Sequence, residues 1–534
     1  MSQNLAPIDY LGLVAYLAAT VWIGVAVGRR VKSGADYFLA GRSLPWWAVG
    51  MSLVATDIGG TDIIGVGGAA YSYGIAVGNF EWIGCVPAMI VAAFVFIPHF
   101  WRLGIYTIPE FMERRYNSAL RTALATCWLV FMACNLGIML LASAKMMSLL
   151  FGWDQAACIF VTAGLVGVYT VAGGLAAVVY TDAVQCAVMI AGCLMVVLLG
   201  VQQAGGVGNL IAQVRELDAV QASKPSEGPA ARHDTGEPPR ATLDRTSLIQ
   251  PVDTPSPFPW TGIFFGLALV LSPAYWIGNQ AIVQRSLGAK SEFQAKAAYV
   301  WGALLKNVIP FIIVVPGLVA LVQFPELDDA DLAIPQLVAR VLPYGVRGIF
   351  VAAFLAALMS SIDSYLNSAA TILTNDLYTR FLRPDAGPEH LLLVGRVTTL
   401  ALVLWAIVAA FLFMLMQSGI YAIFQTLMAF FQGPALAVLL CGLLWRRATG
   451  IAALVAFVAG VLTSISLYAL NQPLVYTAFG LEPLFQIAEP FLYFSVWAFL
   501  VSLTLVVVLS FASAPEPEEK TRHVVFSGFR RTAA

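Results

Sequence analysis

The chain has 534 residues, 60% of them hydrophobic and 11% charged, with a net charge of −1 and a mean hydropathy of +0.82. A soluble domain carries roughly 25% charged residues, so this composition excludes a water-soluble globular fold and fits a polytopic membrane protein. The near-zero net charge excludes nothing, because in such proteins the placement of charges outweighs their sum.

In chain order, thirteen apolar spans are predicted: 8–28, 46–73, 76–100, 122–150, 155–172, 177–201, 261–284, 297–322, 341–373, 391–416, 419–444, 450–470 and 490–512. Each is long enough to cross about 30 Å of hydrocarbon, the longest with tilt or overhang. The first span is read as a helix and not a signal peptide, since Arg29 and Arg30 follow the apolar run and no small-residue cleavage site appears. All seven cysteines fall in apolar segments, where they read as small packing residues and not as disulfides.

Basic residues cluster after alternate spans: Arg29, Arg30, Lys32 and Arg42; then Arg102, Arg114, Arg115 and Arg121; then Arg285, Lys290 and Lys296. Arg380, Arg383 and Arg396 follow, then Arg446 and Arg447, then a basic tail ending at Arg530 and Arg531. The opposite loops are short and uncharged, or acidic as at Glu326, Asp328, Asp329 and Asp331. The positive-inside rule places the N-terminus outside and the C-terminus in the cytoplasm of a plasma (inner) membrane protein. The loop 204–260, rich in Pro, Gly and charge, is then external, and its middle reads as disordered.

No soluble catalytic motif is present, and an enzyme is not expected. There is no P-loop, no two of the four histidines stand at metal spacing, and GVGGAA at 65–70 lies inside a span and not after a strand. The chemistry sits inside the membrane instead. In AALMSSIDSYLNS (356–368), Ala357, Ser360, Ser361, Ser364 and Ser368 share one helix face with Asn367 and Thr371, and Asp363 flanks it. Serines alone also serve helix packing. An intramembrane carboxylate is costlier, and with hydroxyls and carbonyls it forms an oxygen set suited to a small hard cation.

Span two carries a second signal. In SLVATDIGGTDIIGVGG the acids Asp57 and Asp62 flank Gly59-Gly60, and a double glycine weakens a helix by about 2 kcal/mol relative to alanine. A break there exposes backbone carbonyls. Span seven carries Ser272-Pro273 in LVLSPAYW, a matching break if spans two to six and seven to eleven are two halves. Paired interrupted helices at equivalent positions point to an inverted-repeat transporter with its site at the midplane.

A series of motifs now resembles one family. DYFLAGRSLPWW (36–47), FEWIG (80–84), TIPEFMERRY (107–116), TVAGGLAAVVYTD (170–182), PWTGIFFG (259–266), NQAIVQR (279–285), SSIDS (360–364) and LAVLLCGLLWRR (436–447) occur in order. They are similar to the sodium/solute symporters, and within these to the sodium/glucose (galactose) cotransporter branch. The resemblance implies an all-α, LeuT-like fold of five plus five inverted helices with extra flanking helices. The implied organisation is an N-terminal helix and cytoplasmic loop (1–45), a first repeat (46–203), the external loop (204–260), a second repeat (261–445), two further helices (446–512) and a cytoplasmic tail (513–534).

The resemblance also implies roles residue by residue. Na+ is the implied coupling ion, bound by backbone carbonyls at Ala55, Ile58 and Ala357 and by the hydroxyls of Ser360 and Ser361. Asp57 matches an acid beside that site in the proline-transporting branch. A second sodium, found in some members, would use Asp182 and Ser364, with Asp363 standing where a serine is frequent. Glu81, Tyr275, Trp276, Lys306 and Gln425 match positions lining a sugar pocket; Asp62 stands where a neutral or histidine side chain is usual. Tyr275 matches the aromatic that closes the pocket inward, and Val66, Phe80 and Tyr421 fall at gate positions. Acid, amine and amide groups suit sugar hydroxyls, while aromatics cover the apolar ring face.

Gly84 and Ser272 replace polar side chains of a bacterial galactose transporter, which leaves the solute open. The expected function is sodium-driven import of a hexose such as glucose or galactose by alternating access. The alternatives are a symporter of the same fold for myo-inositol, sialic acid, proline or a carboxylate, and a sensor or sodium channel built on it. A small solute, sodium ions and the bilayer are the expected partners, without nucleic acid.

Overall fold

The computed structural model describes residues 6–223, 243–415, 420–472 and 491–526. Regular structure among the described residues is helical, apart from one isolated bridge pairing Leu44 with Ala289. The elements used below, in chain order, are α1 (Pro7–Gly28), α2 (Trp46–Asp57), α3 (Gly60–Tyr73), α4 (Phe80–Leu103), α5 (Ile108–Arg115) and α6 (Ser118–Phe151). Next are α7 (Gln155–Gln203), α8 (Val207–Ser223), α9 (Gly262–Gly278), α10 (Gln280–Leu287), α11 (Glu292–Lys306), α12 (Ile309–Gln323) and α13 (Ala333–Val341). Then come α14 (Val346–Ile372), α15 (Pro388–Met414), α16 (Ile420–Leu444), α17 (Gly450–Leu470), α18 (Phe491–Ala512) and α19 (Glu518–Arg522).

Among the described residues, ten helices are long and apolar enough to cross a membrane, and two bent pairs bring the number to twelve. The remaining expected span, 155–172, corresponds to a shorter apolar stretch, Gln155–Val168, at the start of α7. Burial locates the centre. The apolar window of α14 is 94% buried, against 22% for α1 and 33% for α18, so α14 is the axis and α1 and α18 face lipid.

Both halves open with a broken helix, as expected. Between α2 and α3 the chain bends by 55° at Ile58 (ψ 88°) and Gly59 (ψ 179°). A Cβ on Gly60 would meet Leu358 Cδ1 at 2.9 Å, so the glycine also lets the break seat directly on α14. The second bend, 48° between α9 and α10, corrects the position expected from sequence. It falls at Gly278–Asn279 and not at Ser272-Pro273. Residues 262–271 form wide π-helical turns, and Pro273 begins the regular turn that follows, where it needs no helical N–H partner. At the true break, Asn279 accepts from Ala281 N (2.9 Å), and Tyr299 OH donates to the Trp276 carbonyl at 2.9 Å.

Spans five and six are one kinked element. Gly174 in α7 has φ 55° and ψ −160°, and a Cβ there would lie 2.6 Å from the Tyr37 carbonyl, so only glycine fits. The flanks of the 204–260 loop are ordered. Helix α8 leads in, and Arg245 ties the return segment down through Asp218 (2.5 Å) and the Ser72 carbonyl (2.8 Å). Residues 224–242, where disorder is expected, lie outside the described residues, as does the basic tail at Arg530 and Arg531.

Candidate ion and solute site

The break in the first half releases two carbonyls in particular. Gly59 N–H, whose helical acceptor would be the Ala55 carbonyl, donates instead to Asp62 Oδ2 at 2.8 Å. Asp62 N donates to the Gly59 carbonyl (3.1 Å) and so leaves the Ile58 carbonyl. Ala55 and Ile58 are the positions that the resemblance names. Across from them Ser361 Oγ donates to the Thr56 carbonyl (3.0 Å) and to the Ala357 carbonyl (3.2 Å), bridging α2 to α14. Ser360 Oγ is buried beside Asp182 and, among the described residues, meets no partner in good hydrogen-bond geometry.

Deeper between α2, α7, α10 and α14 lies a charged cluster. Asp182 and Arg285, with side chains 0% and 1% exposed, approach to 3.5 Å. Ser52 Oγ donates to Asp182 Oδ2 (2.5 Å) and receives Arg285 Nε (2.6 Å), while Arg285 Nη2 also reaches Ser364 Oγ. Ser364 Oγ further contacts Thr56 Oγ1 (3.0 Å), the Ser360 carbonyl (2.5 Å) and Asp363 Oδ1 (3.2 Å). Asp182 Oδ1 has no hydrogen-bond partner among the described residues. By sequence Arg285 reads as a loop charge, and the structure corrects this: it is a buried counter-ion. Arg115 reads from the sequence as another loop charge, yet it is buried and donates to the carbonyls of Gly442, Trp445 and Ala448 at 2.8–3.0 Å.

On the other side of the break a cavity opens between α3, α4, α9 and α16. Asp62, Glu81, Tyr275, Trp276 and Gln425 line it, as do the gate candidates Val66 and Phe80. Asp57 lines it too, so it is a cavity residue as well as a neighbour of the released carbonyls. The side chain of Tyr421, the third gate candidate, lies outside the described residues. Glu81 sits in a π-helical stretch, Phe80–Cys85, whose wide turn shifts the following residues around the helix axis; such bulges are frequent at functional sites.

Lys306 departs from its expected place in the lining. Its side chain is fully buried behind the wall, bonded to Asp57 and to Glu81 (2.5 Å) and 5.8 Å from the Trp276 ring centroid. It is the shared counter-ion of two acids that face the cavity and offsets one of their two charges, which lowers the cost of holding them in an apolar span. Sequence reasoning also missed Met428 and Gln432, which line the cavity with Gln425. Their spacing, i, i+3 and i+7 on α16, was the available signal.

The Sodium:solute symporter family matches residues 37–460. The sodium/glucose cotransporter of Vibrio parahaemolyticus is 35% identical over 86% of this chain and 85% of its own length. The sodium/myo-inositol cotransporter 2 of Mus musculus is 32% identical over 98% of this chain and 80% of its own. Among solved structures, a substrate-bound, outward-open Na+-coupled sialic acid symporter superposes with a TM-score of 0.76 at 21% identity, covering 96% of this chain and 99% of that one, which supports the fold. Sodium is the coupling ion of these relatives, and they are transporters and not enzymes. With its two broken helices around a buried oxygen-rich axis, this multi-pass membrane chain belongs to the sodium:solute symporter family.

Proposed function

We propose that this symporter imports a neutral polyhydroxylated solute, a hexose such as glucose or galactose, with sodium. The observation that carries this reading is the cavity wall: carboxylates, two amides and three aromatics converge there, while Lys306 is already engaged by Asp57 and Glu81. Hydroxyls donate to the carboxylates and both donate to and accept from Gln425, and Tyr275 and Trp276 cover an apolar ring face. An anionic solute such as sialic acid or another carboxylate would face three acidic side chains, Asp57, Asp62 and Glu81. A cyclitol such as myo-inositol shares the hydroxyl chemistry and is the second reading; a curated relative is named for it.

Sodium is assigned to the Ala55, Ile58 and Ala357 carbonyls with Ser360 and Ser361, supported by the released carbonyls and a buried Ser360 hydroxyl without a well-placed partner among the described residues. An ion there replaces the Ser361–Thr56 bond as the tie between α2 and α14, so filling the site fixes the broken helix that also walls the cavity. A second sodium at Asp182, Ser364 and Asp363 would compete with Arg285 for the same carboxylate, so one ion per cycle is expected while that pair is closed. The charge pattern supports an external N-terminus and a cytoplasmic C-terminus in a plasma (inner) membrane.

Uptake of labelled hexoses, myo-inositol, sialic acid and proline into proteoliposomes, with and without a sodium gradient, tests the reading. Hexose or cyclitol uptake driven by sodium is expected; inhibition by proline or sialic acid alone refutes it. Gln425→Ala should raise the apparent KM for the hexose more than that for sodium.

A further inference from the structure

Among the described residues, one amide in the cavity wall has no hydrogen-bond partner. Gln432 is 1% exposed, and among the described residues neither its Nε2 nor its Oε1 meets a hydrogen-bond partner. It nevertheless lines the cavity that holds Glu81, Tyr275 and Gln425. A polar group buried without partners is costly, and such groups are rare enough in folded proteins that each requires a reason. Neither Ser272 nor Gln425, which share the cavity, reaches it. Leu267, Leu271 and Met428 offer no complementary group.

Gln432 lies seven residues beyond Gln425 on α16, about two turns and roughly 10 Å along the same face. The two amides therefore address different parts of whatever occupies the cavity. A primary amide offers a donor and an acceptor at once, the complement of a hydroxyl or a pair of neighbouring hydroxyls.

We propose that Gln432 is a solute-binding residue whose amide hydrogen-bonds hydroxyls distant from those met by Gln425, and that it sets specificity at that end. This rests on the polyol reading above and extends it to a residue outside the set that the family resemblance supplied. When the cavity holds solute, the amide gains the partners it lacks. An analogue without the facing hydroxyl leaves it unpaired, and a site that depends on such bonds rejects that analogue strongly.

The test uses the full chain in proteoliposomes with D-glucose, D-galactose and their monodeoxy analogues. Gln432→Met keeps the volume and removes the polar atoms; Gln432→Asn keeps an amide but withdraws it. For Gln432→Met we expect a rise in hexose KM of roughly three- to tenfold, the equivalent of one lost hydrogen bond, with half-saturating sodium unchanged. Discrimination against one particular deoxy position should disappear. Sugar-free thermal stability should be equal or higher, since an unpaired buried group has gone. A structural amide behaves oppositely, so lower sugar-free stability or failure to fold, with hexose KM unchanged in Gln432→Asn, overturns the proposal. If the parent transports a hexose and Gln432→Met keeps its KM and its deoxy discrimination, this inference alone falls. If the parent transports neither hexose nor cyclitol, the polyol reading falls and takes the role of Gln432 with it.

Discussion

Replacing Asp182 by asparagine tests the buried charge cluster directly. The carboxylate and the Arg285 guanidinium are 0% and 1% exposed and 3.5 Å apart, with Ser52 bonded to both. Removing one partner leaves the other charge buried and uncompensated, which costs about 3–5 kcal/mol in comparable sites. Asp182→Asn should therefore lower thermal stability markedly, and so should Arg285→Gln. The double variant carries no buried charge and should recover much of the loss, giving a coupling energy of a few kcal/mol in a double-mutant cycle. The assay is thermal unfolding of the purified protein in detergent, followed by intrinsic tryptophan fluorescence, at fixed sodium. Sodium titration of the same variants adds a second readout. Arg285→Gln removes the guanidinium that competes for Asp182, so its sodium activation should become steeper than the parent's if that carboxylate accepts an ion. Strictly additive stability losses, or an Asp182→Asn protein as stable as the parent, would refute the pairing argument.

Ser360→Ala with Ser361→Ala should weaken sodium activation severely while the protein still inserts, since the serines' packing volume is nearly retained; unaltered sodium dependence in uptake assays would sink the ion assignment. Lys306→Met leaves Asp57 and Glu81 without their buried cation, so expression or thermal stability should fall by about 3–5 kcal/mol in effect, and adding Asp57→Asn and Glu81→Gln should restore stability but not transport. The tail beyond α18 supplies a pH-dependent test. Burial would raise the Glu516 carboxyl, but the Gly450 N–H bond and Lys520 outweigh it and hold the group below the ordinary glutamate value. A lowered folded value means the contribution is complete above about pH 4.3, the unfolded value, and is lost as pH falls through the folded one. A spin label at position 519 should become more mobile in that acid range, and at neutral pH in Glu516→Gln; unchanged mobility in that variant argues against the anchor.

Much of the fold is set by one-dimensional pattern. Apolar runs of spanning length place most of the membrane helices, because hydrocarbon offers backbone groups no partner outside a helix. The Gly59-Gly60 pair fixes the first break, since nothing in those residues resists leaving the helix and Asp62 stands ready to take the freed Gly59 N–H. The serine stripe at 360–368 announces a polar face by its spacing alone. What the pattern does not carry is which side chain ends up opposite which. Arg285 follows an apolar run and reads as a loop charge; only packing of α10 between α2, α7 and α14 turns it inward to Asp182, about a hundred residues away. Lys306 reads as a cavity lining residue, yet the approach of Asp57 and Glu81 from two other helices draws it behind the wall. The second break moves from Ser272-Pro273 to Asn279 because π-helical turns before the proline leave it no clash to resolve, a choice made by tertiary packing. Gln432 looks like any glutamine in an apolar helix until the cavity is assembled around it. Sequence periodicity reports the face a residue occupies, and charge partners, cavity walls and orphaned atoms depend on distances between helices that only the folded structure contains.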